Sequence, residues 1–594
     1  MALIAGLGRR SAGFWFAVVF AVAAVCTLPA LTAGFYADDF LHLAKLQSGG
    51  SAAGRLTSMF TFTTGGAETR DLIADGTVPW WTSPRLHIQF FRPLSAALML
   101  LDHAVFALRP LGYHLHSIFW WLLWLAGTAL LFRRLLSPRL ALLAFAIFAI
   151  DDAHWLPIGW IAARNAPVAM ACVVWGLLAY VRFREDGWRP GAVLALGAWA
   201  LALLAGEVAL SGLMYVLAYE LLRDRASGIR AVWVGLRPLL PLGLLLVGYA
   251  VVYRVSGAGV RGSGAYINPI HDSAPFIAAA AARVPAQFGA LMVGAPLDLW
   301  LLTPLQPIFV AVGLAAILVA VPWFVTATKA LPASDRKGAR WLALGSAVSL
   351  VPTSAGLLGE RSLAAASLGA AVMVAVLLRH GWKRMREVHG IRRVAVVVGV
   401  LALGIPNLVV AAPWLVGKLA FMSVNGKALE RVASTAETAA PPPARAVLLW
   451  SDDPLLAAYT ATLARITHLE ALPSFRVLAM APVDLLMTRT APDELELSCA
   501  GGSLLISEWE RLFRAPEQPL PAGTELPLKG VTVRIVEDLG GRPTRVRFQF
   551  DVPLDDPSLR FLEWRGRRLV PAALPALGET RPVYRSPPLL TAAP

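Results

Sequence analysis

Residues 13–35 read GFWFAVVFAVAAVCTLPALTAGF, and Tyr-Ala-Asp-Asp follows directly at 36–39. An apolar run of this length can cross a hydrocarbon core of about 30 Å as a helix. Arg9 and Arg10 precede the run, a pattern that secretory signal peptides share. We interpret it as an uncleaved first membrane span, because the run is long and the carboxylates of Asp38 and Asp39 come immediately after it.

Further apolar runs recur as far as Trp414. The chain of 594 residues is 57% hydrophobic and only 15% charged, whereas soluble domains are about 25% charged. This composition predicts an α-helical polytopic membrane protein with about eleven transmembrane helices. The predicted spans are 13–35, 113–132, 135–150, 160–181, 190–205, 207–222, 233–253, 306–328, 340–357, 363–379 and 393–416.

The basic residues between these runs fall on one side of the predicted topology. With the N-terminus in the cytoplasm, the arginine and lysine clusters at 133–139, 182–189, 223–230, 329–340 and 379–393 are all cytoplasmic. This is the positive-inside pattern of membrane proteins. This pattern explains the net charge of +15 without a nucleic-acid partner. We therefore expect a multi-pass protein of the cell inner membrane.

The segment 94–108 is apolar but short, and it contains Asp102 and His103. A charge at the bilayer centre costs about 2.5–3.5 kcal/mol on insertion scales. If the segment crossed the membrane, every later basic loop would change sides. We therefore expect a helix at the outer interface or packed against the bundle.

The sequence predicts two domains. Residues 1–435 form the transmembrane domain with outer loops at 36–112 and 254–305, and residues 436–594 form a small extracytoplasmic α/β domain. A proline-rich stretch at 439–443 separates them. Alternating apolar residues at 531–536 and 546–550, on either side of Gly540 and Gly541, predict a β-hairpin.

Two acidic pairs follow predicted outer span ends. Asp38 and Asp39 are candidate general bases, which need a carboxylate that reaches an acceptor hydroxyl; stabilisation of a helix N-terminus is the alternative. Asp151 and Asp152 lie beside His154, and these three side chains are candidate ligands for a divalent cation such as Mg²⁺ or Mn²⁺. Polar capping of a span end explains the second group as well, and no octahedral ligand set is visible.

Four more charged residues lie near span ends. Arg164 lies one turn into an apolar span, where it can extend to the interface or bind a lipid phosphate. Glu207 interrupts an apolar hairpin, which makes it either a functional carboxylate or a hairpin tip. Glu360 and Arg361 lie between the ninth and tenth spans, where they form a mutual ion pair or expose the arginine to a phosphate.

In chain order, these segments resemble a known family. They read FFRPLSAALMLLDHAVFALRPLGYHLHS (90–117), DDAHWLPIGWIAARNAPVAM (151–170), LLAGEVAL (203–210) and GERSLAAASLGAAV (359–372). Together with the acidic pair after the first span, their order resembles the polytopic GT-C glycosyltransferases, especially the bacterial protein-mannosyltransferase-like and TMTC-like branch. The resemblance covers residues 20–380.

This resemblance implies a polyprenyl-phosphate-linked sugar donor and a protein, glycan or lipid acceptor at the outer face. It implies that Asp38 is the base, with Asp39 beside it or in its place, and that Arg92, Arg164 and Arg361 are the basic residues near the donor phosphate. His154, Pro157, Trp160 and Arg164 match the motif of the second outer loop. Glu207 and Glu360 are supporting carboxylates.

The chain departs from the family pattern at two points. Gly206 stands where the family places a lysine before the glutamate, and Ser362 and Ala364 stand where aromatic residues are frequent. These differences bear on acceptor recognition.

Three other functions remain open from the sequence. A transporter or flippase of a lipid-linked substrate would require inverted repeats or helices broken near mid-membrane, which the sequence does not display. A membrane scaffold that presents the C-terminal domain would tolerate substitution of Asp38. An enzyme similar to O-antigen ligases or polymerases would use a large outer loop and arginines rather than acids after the first span.

Overall fold

The computed structural model describes residues 9–48, 50–222, 237–439, 445–451, 474–565 and 568–584. Its first 439 residues are mainly helical. In chain order the helices are α1 (Arg9–Cys26), α2 (Asp38–Gln47), α3 (Ala52–Ser58), α4 (Gly66–Asp75), α5 (Pro93–Phe106), α6 (Pro110–Leu135), α7 (Pro138–Ala149), α8 (Trp155–Gly159), α9 (Asn165–Asp186), α10 (Pro190–Ala205), α11 (Val208–Leu222), α12 (Leu240–Val255), α13 (Ser273–Val293), α14 (Gln306–Lys329), α15 (Ala333–Thr353), α16 (Ser367–Arg384), α17 (Gly390–Gly404) and α18 (Ala411–Ala439).

The prediction of an α-helical multi-pass membrane protein is confirmed, but the count of eleven spans is not. In the described residues, seven helices are long and apolar enough to cross a membrane, or eight if the bent pair α7 and α8 counts as one span. Helices α10 and α11 contain only 16 and 15 residues. Helix α15 begins with charged residues, so its purely apolar part is also shorter than a membrane span requires.

The predicted basic loops converge on one face of the bundle. Arg134 contacts Glu185 at 3.5 Å, and Lys337 contacts the same carboxylate at 3.8 Å. Arg379 lies 3.6 Å from Asp335, whose other contacts are to the loop before α7. Four of the five clusters therefore share a face; the cluster at 223–230 lies outside the described residues.

Helix α5 does not cross the bundle. Arg92, at its start, contacts Glu207, and Phe90 packs against Tyr266. After its end, Tyr113 packs against Phe35. Both flanks thus reach the face opposite the basic loops, and the position of the segment 94–108 relative to the membrane stays a prediction.

Helix α13 also begins and ends at this face, although its 21 residues are apolar enough for a span. Before it, Tyr266 contacts Arg361. After it, Asp298 accepts the backbone N–H of Glu360, the neighbour of Arg361, at 2.9 Å. A crossing would put these two flanks on opposite sides of the bundle; the assignment of 254–305 to one outer loop stays a prediction.

The C-terminal region is richer in β-strand than the α/β prediction. Its strands are β4 (Arg445–Leu448), β5 (Phe475–Val477), β6 (Leu485–Ala491), β7 (Glu494–Cys499), β8 (Glu525–Leu528), β9 (Val531–Leu539), β10 (Arg542–Phe550), β11 (Leu559–Arg565), β12 (Arg568–Pro571) and β13 (Thr580–Pro582). The outer loops add β1 (Thr61–Thr64), β2 (His87–Gln89) and β3 (Gly259–Arg261). One further helix, α19 (Glu508–Phe513), lies between β7 and β8.

These strands form three sheets. β1, β2 and β3 form a small antiparallel sheet that joins the two outer loops. The order β13-β6-β7-β10-β9-β8 is fully antiparallel and includes the predicted hairpin at Gly540 and Gly541. In the order β12-β11-β4-β5, β4 is parallel to β5 and β11. The sequence also predicts a β-α-β unit, with strands at 446–450 and 475–480 and a helix after Asp453; the two strands correspond to β4 and β5, and the helix lies outside the described residues.

The first outer loop and the C-terminal region share one hydrophobic core. Trp80 is 1% exposed, its indole donates to the carbonyl of Leu478 at 2.9 Å, and its ring packs edge-on against Phe548. Arg514 donates to the carbonyls of Trp81 and Thr82 at 2.5 and 3.2 Å. The C-terminal sheets therefore cover the loop that carries Asp38.

We expect Trp80→Ala to reduce the free energy of unfolding by about 3–5 kcal/mol, the usual cost of deleting a buried Trp side chain. Thermal unfolding in detergent, with limited proteolysis to follow release of the C-terminal region, measures this. Trp382 is 40% exposed, so Trp382→Ala is the control and should change stability little. Equal losses in both variants would contradict the shared core.

Candidate active site

Asp38 is the first residue of α2, and its side chain is half-buried. The preceding residue, Ala37, has φ 49° and ψ −118°, and such a backbone costs a non-glycine residue about 1–3 kcal/mol. Burial lowers the pKa of the Arg361 guanidinium, but the charges of Tyr266 and Asp38 outweigh burial and raise that pKa. The structure thus brings Asp38 within electrostatic reach of Arg361.

Asp39 anchors this turn. Its carboxylate accepts the backbone N–H of Tyr36 at 2.9 Å and that of Ala162 at 2.7 Å. Burial raises the pKa of Asp39 to about 8, although these N–H groups and Arg164 act to lower it. A carboxylate with such a pKa suits the role of a general base, but it must first be able to reach the proton that it abstracts. Since Asp39 is 1% exposed with both oxygens occupied, it positions Asp38 rather than replacing it.

Trp160 connects the Asp38 turn to Arg361. Its indole donates to the carbonyl of Tyr36 at 3.0 Å. The Arg361 guanidinium lies 5.8 Å from the centroid of the Trp160 ring, a cation–π distance, and donates to the Tyr266 hydroxyl at 3.4 Å. Arg361 is thereby held between an aromatic ring from the second outer turn and a hydroxyl from the loop before α13.

Arg92 and Glu207 form an ion pair at the same face. Arg92 Nε lies 2.7 Å from Glu207 Oε2. The guanidinium also stacks 4.3 Å from the centroid of Phe90, and Phe90 packs against Tyr266. A continuous series of contacts therefore joins Glu207 to Arg361.

Gly206 has a physical explanation in this geometry. A Cβ atom at this position would lie 2.7 Å from Asn165 Nδ2, so any larger side chain requires Asn165 to move. Glu207 is paired instead with Arg92, from a different segment.

Arg164 is buried in an ion pair. Its side chain is 3% exposed and contacts the Asp102 carboxylate, which is 1% exposed. The other Asp102 oxygen lies 2.6 Å from His116 Nδ1, and Trp120 donates to His116 Nε2 at 2.9 Å. The partner of Arg164 in this structure is a carboxylate. The contact with a donor phosphate therefore stays a prediction, and the geometry favours a positioning role.

His154 is separated from the neighbouring carboxylates. Its imidazole is fully buried between Trp124 and Phe148, and Nε2 lies 3.1 Å from Ser367 Oγ. Asp151 accepts the backbone N–H of Ala153 at 3.0 Å. Within the described ranges no group of three or more His, Cys, Asp or Glu side chains could hold a metal ion, which counts against the three-residue cation site.

Asp152 and Glu360 meet through a lysine. Lys418 Nζ lies 2.6 Å from Asp152 Oδ2 and 2.5 Å from Glu360 Oε2. Glu360 thus pairs with Lys418 rather than with its neighbour Arg361, which excludes the mutual ion pair considered from the sequence. Arg361 contacts Trp160 and Tyr266 instead.

The predicted site residues divide by their contacts. Asp38, Trp160, Arg361, Arg92 and Glu207 line one connected region at the face opposite the basic loops. The other predicted residues lie beside this region, where they are hydrogen-bonded or ion-paired to other protein groups: Asp39, Arg164, Asp151, Asp152, His154 and Glu360.

Sequence reasoning missed three residues that hold Arg361 in place. Tyr266 ends the glycine-rich stretch SGAGVRGSGAY, Asp298 follows α13, and Lys418 lies in an apolar helix. Only Lys418 carries a sequence signal, because an isolated charge in an apolar helix is a functional candidate. The other two are ordinary loop residues until the fold brings them to Arg361.

One curated relative is similar to part of the chain, whereas no family profile matches it. The protein O-mannosyl-transferase Tmtc1 of Drosophila melanogaster is 28% identical over 130 residues, which is 21% of this chain and 15% of that protein. The match thus spans only a small part of the relative's length. It agrees with the TMTC-like resemblance of the motifs.

Two solved structures align with most of the chain at low similarity. ArnT from Cupriavidus metallidurans, bound to undecaprenyl phosphate, gives a TM-score of 0.39 at 15% identity over 78% of this chain and 90% of that one. An oligosaccharyltransferase of Archaeoglobus fulgidus, tethered to an acceptor peptide, gives 0.39 at 12% identity over 78% and 63%.

We expect Asp102→Asn and Arg164→Met each to lower the free energy of unfolding by about 3–5 kcal/mol, because either change leaves a buried charge without its partner. The double variant should lose less than the sum of the two. Unfolding of all four proteins in detergent completes the double-mutant cycle.

The exposed pair Lys383 and Glu387, whose atoms lie 3.8 Å apart, is the matched control, because surface pairs contribute about 0–1 kcal/mol. An additive result at Asp102 and Arg164 would show that the two side chains do not depend on each other.

Proposed function

We propose that this chain is an integral membrane glycosyltransferase that moves a sugar from a polyprenyl-phosphate-linked donor to an acceptor at the face that carries Asp38. The carrying observation is that the turn before Asp38 and the Arg361 guanidinium, from distant segments, both contact the Trp160 side chain, and Asp38 is near enough to Arg361 to raise the pKa of that guanidinium. An acid and a fixed guanidinium at the membrane surface suit a reaction in which one group loses a proton and another leaves as an anion.

In the proposed reaction, the acceptor oxygen or nitrogen attacks the anomeric carbon of the donor sugar. The bond from this carbon to the phosphate oxygen breaks, and the polyprenyl phosphate leaves with the electron pair. Asp38 takes the acceptor proton, and Arg361 stabilises the negative charge on the phosphate. A single displacement of this kind inverts the anomeric configuration.

Arg361 is the best-placed phosphate partner of the three predicted arginines. Arg164 is paired with Asp102, and Arg92 with Glu207. Arg361 instead packs on a ring face and donates to a hydroxyl, and the carboxylates that act on it electrostatically are Asp38 and Asp298. Arg92 can assist from the edge, since its ion pair is only partly buried.

The finer assignments belong to the same proposal. We assign a hexose to the donor and a protein, glycan or lipid hydroxyl or amine to the acceptor; the name of the fly relative supports a hexose. We also place the protein in the inner membrane, with the N-terminus cytoplasmic and the C-terminal sheets extracytoplasmic. The positive-inside pattern supports this orientation.

Asp38→Asn should reduce sugar transfer by about 10²–10⁴-fold, the contribution of a general base, while folding and binding of undecaprenyl phosphate persist. Transfer can be followed by mass spectrometry of acceptors incubated with a panel of polyprenyl-phosphate hexoses.

Asp71→Asn is the matched control, because Asp71 is an exposed acid of the same outer loop; this variant should transfer at the unchanged rate. Normal turnover in Asp38→Asn would remove the base assignment and favour a scaffold function.

Arg361→Lys should retain the charge but lose the planar contact with Trp160, and Arg361→Gln should lose both. We expect transfer to fall by about 10²–10³-fold in Arg361→Gln, as for removal of one transition-state stabiliser, with Arg361→Lys intermediate. Rates at saturating donor separate this effect from binding. Equal rates for Arg361→Gln and the parent would end the phosphate assignment.

A further inference from the structure

Lys418 lies on α18, in the helical stretch from Gly390 to Lys427 that is apolar enough to span a membrane. Its side chain is only 13% exposed. A charged side chain in such a helix is costly unless it is paired, and Lys418 is paired twice.

The two partners come from separate parts of the site. Asp152 belongs to the turn between α7 and α8, and Glu360 precedes Arg361 in a short helical turn, Glu360–Leu363. The ammonium lies 2.6 Å from Asp152 and 2.5 Å from Glu360. Asp151, beside Asp152, is also within electrostatic reach of Lys418.

Glu360 is fixed through its backbone as well. Asp298 accepts its N–H at 2.9 Å, and the second Asp298 oxygen accepts the Trp155 indole N–H at 3.0 Å. Glu360 is 2% exposed. Its backbone position is therefore fixed, and its carboxylate is buried against Lys418.

We propose that Lys418 is a positioning residue for Arg361, because it occupies the Glu360 carboxylate that would otherwise compete for the neighbouring guanidinium. Without Lys418, the cationic residue nearest in sequence to the buried Glu360 carboxylate is Arg361. A guanidinium paired in that way is neutralised and turned from Trp160. This inference rests on the proposed phosphate-binding role of Arg361.

The arrangement also links the site to the C-terminal region. Helix α18 follows a π-helical turn, Ile405–Val410, and leads towards β4. Any shift in the position of this helix would move Lys418 relative to Glu360. Lys418 thus couples the position of α18 to the orientation of Arg361.

The test compares Lys418→Met, Arg361→Gln and the double variant Lys418→Met with Glu360→Gln, in nanodiscs with undecaprenyl phosphate as the probe. We expect Lys418→Met to weaken binding and turnover by about 10- to 100-fold, the scale of misplacing a reacting group by about 1 Å. The double variant should recover most of this loss, because the competing carboxylate is gone. Lys427→Met, at an exposed lysine of the same helix, should behave as the parent.

The outcomes separate the two proposals. If Arg361→Gln binds undecaprenyl phosphate normally, the proposed function fails. If Arg361→Gln weakens binding but Lys418→Met does not, only the role of Lys418 fails. If Lys418→Met does not fold, the double variant Lys418→Met with Glu360→Gln decides alone. If that variant binds undecaprenyl phosphate as weakly as Arg361→Gln does, the inference is overturned.

Discussion

A charge inside an apolar bundle is stable only with a partner, and this constraint determines how the outer half of the protein is assembled. Asp102 pairs with Arg164, and Lys418 pairs with Asp152 and Glu360. Each pair joins segments that are distant in sequence. Since an unpaired buried charge costs several kcal/mol, these contacts fix the relative positions of α5, α9, α18 and the turn at Glu360.

The two neighbouring acids of the first outer turn illustrate how the fold separates positioning from chemistry. They have the same side chain and adjacent positions, but Asp39 is enclosed by two backbone N–H donors whereas Asp38 is half-buried towards Arg361. The strained backbone at Ala37 lies between the Asp39 anchor and Asp38. A carboxylate with both oxygens occupied by backbone N–H groups holds the turn, and it thereby positions its neighbour Asp38.

Much of the membrane architecture was predictable, because it depends on sums over many residues. The single-faced basic loops and the surface position predicted for the segment 94–108 follow from the cost of moving charge across a bilayer. The number of spans did not follow, because short helices such as α10, and helices such as α13 whose two flanks lie at one face, have ordinary apolar sequences. The shared core of the first outer loop and the C-terminal sheets was also not predictable, since Trp80 alone does not indicate which surface covers it.

The sequence by itself determined the membrane class, the sidedness of the charges and the set of acids and arginines at one face, because hydropathy and charge act residue by residue. Only the tertiary structure decided their partners. Arg164 pairs with Asp102, Arg92 pairs with Glu207, and Lys418 pairs with Asp152 and Glu360. Pairing depends on distances between segments far apart in the chain, and these distances exist only once the helices have packed.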